Sequence, residues 1–193
     1  MPAAFTRSRL KRLDAENKIR RQNARYLDKN LADLKAVVTP YVPPDRESVY
    51  HFYRIRIKPE NIGIAMSLYE FRSKVQMALK AEGVQANEWQ GMPIPGQSLF
   101  RQKKGYGKGC PWTCPFTDNK DIQYRSEDYP ETVKMLEDSF IIHSAIYPPN
   151  GEKLLKHFVD AFHKVFEHID DVLKIDTGKF TDTIHGTTTK RSQ

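Results

Sequence analysis

The sequence predicts an α+β domain, a small sheet with helices on one face, entered through a long N-terminal helix. Three observations predict it. Residues 49–58, VYHFYRIRIK, alternate at period two, as a half-buried strand does. Residues 152–173 set Leu154, Leu155, Phe158, Val159, Phe162, Val165, Phe166, Ile169 and Val172 on one wide face at helical spacing. The periodic stretches run helix, strand, helix, strand, loop, helix, strand, helix, an order that suits helices layered on one small sheet.

In chain order, residues 3–35 read as one helix. Leu10, Leu13, Ala24, Leu27, Leu31 and Leu34 make a narrow apolar stripe, and no Gly or Pro interrupts it after Pro2. The polar half, residues 6–21, is expected to lie along another surface or stand in solvent. A proline-rich connector, TPYVPP, follows. In the strand at 49–58, Val49, His51, Tyr53, Ile55 and Ile57 share one face. A helix is expected from Ser67 to Glu82, with Glu70 completing a capping box and Gly83 ending it. Its buried face is Phe71, Val75, Ala78 and Leu79. A short strand at 84–89 opens into a long loop. Asp128 is placed to cap a helix over 129–137, and residues 139–144 form an apolar strand. The division is therefore 1–35 for the long helix, 36–173 for the α+β domain and 174–193 for a tail expected to be disordered.

Charge and composition exclude several classes. The 193 residues are 39% hydrophobic and 11% aromatic, enough for a core. No run of about 18 apolar residues predicts a membrane span. The N-terminus lacks the apolar segment of a secretory signal, so a cytoplasmic protein is expected. Cys110 and Cys114 are too few for a disulfide framework, and C-x3-C offers too few ligands for a zinc site. Net charge is +7, and six of those charges fall in the first 25 residues. Nucleic-acid binding is not expected, because no recognition motif accompanies the basic stretch.

The costliest stretch is residues 84–113. It holds Trp89 and Trp112, Pro93, Pro95 and Pro111, and the run Tyr106-Gly-Lys-Gly-Cys-Pro-Trp112. A loop this long inside a compact domain is functional or disordered, and its aromatic and proline content argues for function.

Specific residues resemble a known family. Arg7 to Asp14 (RSRLKRLD) with Asn17, Arg21, Asn23, Ala24 and Leu27 are similar to the interdomain helix of the DegT/DnrJ/StrS-type sugar aminotransferases. Val49 to Tyr53, Phe71-Arg72, Leu79 and Glu82-Gly83-Val84 are similar to its following strand and helix. Trp89-Gln90, Pro93, Pro95, Gln97 and Gly105 to Trp112 look most like the branch that aminates cyclitol ketones, the scyllo-inosose type. The resemblance spans residues 3–173. It implies the small C-terminal domain of a fold-type I enzyme that uses pyridoxal phosphate (PLP). It implies amino transfer from an amino acid such as glutamate or glutamine to a keto-sugar or keto-cyclitol. It also implies a homodimer, and a large domain bearing the Schiff-base lysine that these residues lack. Lys74, Lys108 and Lys190 do not replace that lysine, since none promises a desolvated pocket. The chain alone is therefore expected to be inactive.

Because the small domain of that family closes over substrate, nine residues become candidates for substrate binding. Trp89 either stacks on a ring face or fills the core. Gln90 and Gln97 either bond hydroxyls or sit in turns. Tyr106, Lys108 and Trp112 stand among glycines that permit close backbone approach, and Lys108 suits a carboxylate or phosphate. His51 either packs in the core or faces the cleft, and His143 precedes the last turn. Arg72 faces outward from its helix and either pairs with an acid or grips a carboxylate. The rival class is a stand-alone binding module whose basic first helix meets an acidic partner or nucleic acid.

Overall fold

The computed structural model describes residues 2–118, 121–142 and 145–178. The chain divides into two units, residues 1–88 with 138–193, and residues 89–137. The first unit is the α+β fold. It begins with α1 (Pro2–Leu10) and α2 (Leu13–Leu31), so the long helix expected over 3–35 is broken at Lys11 and Arg12 and ends earlier. The break lies where the apolar stripe has nothing to bury. Phe5, Leu10 and Leu13 are exposed, whereas Ala24, Leu27 and Leu31 are wholly buried. Packing, which holds a helix of this composition together, reaches only the C-terminal part of the stripe.

Among the described residues four strands follow: β1 (Val37–Val38), β2 (Tyr53–Ile57), β3 (Ala86–Asn87) and β4 (Ser139–Ile142). They form one antiparallel sheet in the order β1-β2-β4-β3, with Tyr53 opposite Ile142 and Ile55 opposite Phe140. The strand expected over 49–58 starts only at Tyr53. Tyr50 has φ +45°, a left-handed backbone that ends any extended run before it. Val49 and His51 are consequently exposed rather than on the apolar face, while Tyr53, Ile55 and Ile57 are fully buried as the alternation requires. The strand expected over 84–89 is reduced to two residues.

Helix α3 (Leu68–Ala81) starts where Ser67 Oγ accepts the Glu70 amide at 3.2 Å, as the capping pattern predicts. Helix α6 (Glu152–Glu167) stops at His168, and a single turn, α7 (Ile169–Val172), replaces its expected last part. The core joins one face of the sheet to α2, α3, α6 and α7. Phe140 of β4 stacks on Phe162 of α6 at 6.3 Å between ring centres. Burial of each such side chain stabilises by roughly 1.5–3 kcal/mol. Ile175 also packs against this core, and its carbonyl accepts Lys74 Nζ at 2.6 Å, so the tail expected to be disordered is tied down at its start. Residues 179–193 lie outside the described residues.

The second unit holds short elements: a 3-10 turn at Ile94–Gly96, α4 (Ser98–Arg101), a 3-10 turn at Ser126–Asp128, and most of α5 (Pro130–Asp138). Asp128 lies in that turn, and its carboxylate accepts Arg125 Nε at 3.3 Å. Among the described residues no helix is long and apolar enough to cross a membrane.

Candidate functional site

The loop unit is organised by a small aromatic cluster and a glycine-rich turn. Trp112 Nε1 donates to the Tyr124 hydroxyl at 3.1 Å. The Trp112 ring stands edge-on to both Phe100 and Tyr124. Around this cluster the backbone closes on itself: the Tyr106 amide donates to the Cys110 carbonyl at 2.9 Å, and Thr113 Oγ1 donates to the Lys108 carbonyl at 2.9 Å. The glycines make that closure possible. Gly105 has φ +45°, and a Cβ there would fall 1.7 Å from the Cys110 carbonyl oxygen, so only glycine fits. Lys108 itself has φ +49°, a left-handed residue at the apex of the turn.

This turn displays some of the predicted site residues and buries parts of others. Tyr106 is 93% exposed, and Lys108, Gln90 and Gln97 are also exposed. Gln90 is exposed and has φ +73°, a left-handed backbone. Gln97 directly precedes α4 without capping it through its side chain. Trp89 and Trp112 are half-buried. Trp112 has its indole N–H engaged by Tyr124, so it holds the loop together.

The remaining candidates lie in the other unit. His51 is exposed, packs on Phe52 at 4.0 Å between rings, and lends its carbonyl to the Tyr147 hydroxyl. Arg72, expected to face outward, is 2% exposed. Its guanidinium pairs with Glu88 and lies 5.0 Å from the Tyr69 ring, because α3 is buried on nearly every side from Phe71 to Gln76. The pair with an acid is the outcome here. His143 lies outside the described residues.

Polar clusters that periodicity did not single out surround the sheet. The Asp138 side chain is fully buried and accepts Arg56 Nε at 2.9 Å and Lys58 Nζ at 2.6 Å, tying β2 to the start of β4. Arg54 Nη1 donates to Ser139 Oγ at 2.9 Å, and burial lowers the Arg54 pKa. Asp28 accepts the Tyr53 hydroxyl at 2.6 Å. Burial, and then the Asp28 bond, pushes the Tyr53 phenol far up, and burial raises the Asp28 carboxyl above its ordinary value. Asn23 Nδ2 donates to the carbonyls of Ile146 and Asn150, fixing the turn before α6 against α2. A groove of about 760 Å³ runs alongside, lined in part by Gln22, Arg25, Tyr26 and Lys29. For Asn23 alone a signal lay in the sequence of α2. Asn23 stands four residues before buried Leu27, on the packed face of the helix.

The described residues do not fit PLP. A Schiff-base lysine needs a desolvated amine with a depressed pKa. Among the described residues Lys74 alone is a buried lysine. Its amine is taken by the Ile175 carbonyl and by Glu70 at 3.4 Å. Lys108 is exposed to solvent. Among the described residues no three His, Cys, Asp or Glu side chains converge to hold a metal ion.

Comparison with known proteins gives three findings. A model of the DegT/DnrJ/EryC1/StrS aminotransferase family matches residues 1–120. Among solved structures, S. venezuelae DesV in complex with a ketimine intermediate superposes with a TM-score of 0.64 at 19% identity, over 86% of this chain and 36% of that one. The PLP form of Spr1654, a sugar aminotransferase assigned in Streptococcus pneumoniae, superposes with a TM-score of 0.56 at 17% identity, over 82% of this chain and 33% of that one. The chain thus shares their fold and spans about a third of their length. No curated protein sequence matches it.

Proposed function

Because the chain belongs to the DegT/DnrJ/EryC1/StrS aminotransferase family, we propose that it forms the C-terminal part of a cytoplasmic, homodimeric PLP-dependent aminotransferase. That enzyme moves an amino group from an amino acid to a keto-sugar or keto-cyclitol. PLP, held on a lysine outside these residues, supplies the amino-carrying chemistry. This chain supplies the cover over the substrate and part of the dimer contact.

One observation carries the substrate role: the turn built on Gly105 holds Tyr106 and Lys108 outward from a fixed aromatic base. A hydroxyl and an ammonium presented this way suit a polyhydroxylated ketone or the carboxylate of an amino donor. Gln90 and Gln97 add amide donors, and Trp89 offers a ring face for stacking on a sugar or cyclitol. Arg72, already engaged by Glu88, is the weakest of the candidates for binding a substrate carboxylate. His51 and His143 are retained as candidates from the family resemblance alone. The family match favours this reading over the stand-alone binding module.

The test is Lys108→Ala in the complete enzyme, with glutamate or glutamine as donor and a keto-cyclitol or a keto-sugar as acceptor. The expected result is kcat/KM lower by about 10- to 100-fold, the loss of one charge-assisted hydrogen bond. A keto-cyclitol preferred over a keto-sugar supports the cyclitol branch. Unchanged kcat/KM with both acceptors removes Lys108 from the site.

A further inference from the structure

The basic N-terminal stretch does more than meet solvent. A cavity of about 340 Å³ lies against α1 and α2, lined by Arg9, Arg12, Glu16, Arg20 and Tyr147 with the Pro148–Pro149 turn. Three guanidinium groups face one carboxylate there. Glu16 lies 3.8 Å from both Arg9 Nη2 and Arg12 Nε, beyond hydrogen-bond distance, so its charge leaves those donors largely unengaged.

Arg20 is the organising residue. Its guanidinium carbon sits 4.4 Å from the centre of the Tyr147 ring. That ring is pinned in turn, because its hydroxyl donates to the His51 carbonyl. A guanidinium held over a fixed ring is restrained before any ligand arrives. Its Nε is buried, yet it meets no acceptor among the described residues. Buried donors are almost always satisfied, so an exception calls for a partner. A planar fork of this kind matches the paired oxygens of a phosphate better than any single-point acceptor.

We propose that this cavity is an anion site for a phosphate or diphosphate group, with Arg20 as its restrained donor and Arg9 and Arg12 as the mobile ones. Glu16 disfavours monoanions of low charge density and lets only a strongly charged group displace its own weak contacts. The site belongs to the first unit and does not rest on the aminotransferase reading, because binding is read on the chain itself.

The test is calorimetric titration of the full 193-residue chain with inorganic pyrophosphate at low salt, where exposed charges are least screened. One site per chain is expected. Arg20→Gln should weaken it roughly 10- to 100-fold and Arg12→Gln by roughly 3- to 10-fold. Lys164→Gln, at a residue paired with Glu82 that does not line the cavity, should leave it unchanged. Competition by glucose 1-phosphate supports a phosphate on a carbon carrier, and its failure to compete supports a diphosphate. If circular dichroism shows that Arg20→Gln misfolds, the exposed Arg12→Gln decides alone. Absence of binding at millimolar pyrophosphate, equal affinity in the wild type and both cavity variants, or glutamate binding in preference to pyrophosphate would overturn the assignment.

Discussion

The sheet-and-helix unit and the loop unit are stabilised in opposite ways. In the first, Tyr53, Phe71, Phe140 and Phe162 are wholly buried, and four helical elements share one core with the sheet. In the second, one aromatic trio and a series of tight turns hold the chain, and Tyr106 and Phe116 are each 93% exposed. Apolar burial fixes the scaffold, while backbone geometry fixes the loop. A region held by turns can place polar groups in solvent without disturbing the core beneath another part of the chain.

The largest expected effect breaks the scaffold side of this contrast. Phe162→Ala removes a fully buried ring from the stack on Phe140 and should cost about 3–5 kcal/mol in urea unfolding. A cost below about 1 kcal/mol would mean that α6 is not docked on β4 as described. Gly105→Ala should act on the loop side alone. A methyl group there meets the Cys110 carbonyl, so the turn must open and Trp112 fluorescence should shift, with local strain of about 1–3 kcal/mol. The urea midpoint of the scaffold should stay within error, and a matching loss there would show that the two units unfold together.

The smallest effect concerns pH. Burial outweighs the Tyr53 and Thr39 hydrogen bonds and holds the Asp28 carboxyl above the usual aspartate value of 3.8. The folded chain therefore keeps this proton longer than the unfolded chain does. Its contribution to stability is complete below 3.8 and is lost as pH rises through the window just above it. Asp28→Asn should flatten that downward slope in a series of urea midpoints. An unchanged slope would remove Asp28 as its source.

Much of the scaffold was legible because its signals are local. Period two found the buried Tyr53, Ile55 and Ile57, helical spacing found the face of α6, and Ser67 marked the start of α3. The break at Lys11 and Arg12 was not legible, since neither residue is a helix breaker and the cause is the absence of packing partners for Leu10 and Leu13. The left-handed Tyr50 carried no glycine or asparagine to announce it. Strand β1, two residues long, is too short for any period. At the site, the glycine run from Gly105 to Gly109 announced an unusual turn, and the structure contains one. Arg72 was misplaced because its partner, Glu88, lies just past β3, 16 residues away in sequence. Arg20 was hidden within a basic run until Tyr147 was brought beneath it.

The proposed division of labour meets its most direct test in an amino-transfer assay with isotopically labelled glutamate and a keto-sugar or keto-cyclitol. It would compare this chain with and without a separate polypeptide carrying the PLP-lysine domain of the family. The expected result is no transfer by the chain alone and transfer by the pair. Turnover by the chain alone would contradict it, since the buried Lys74 is already engaged by Ile175 and Glu70.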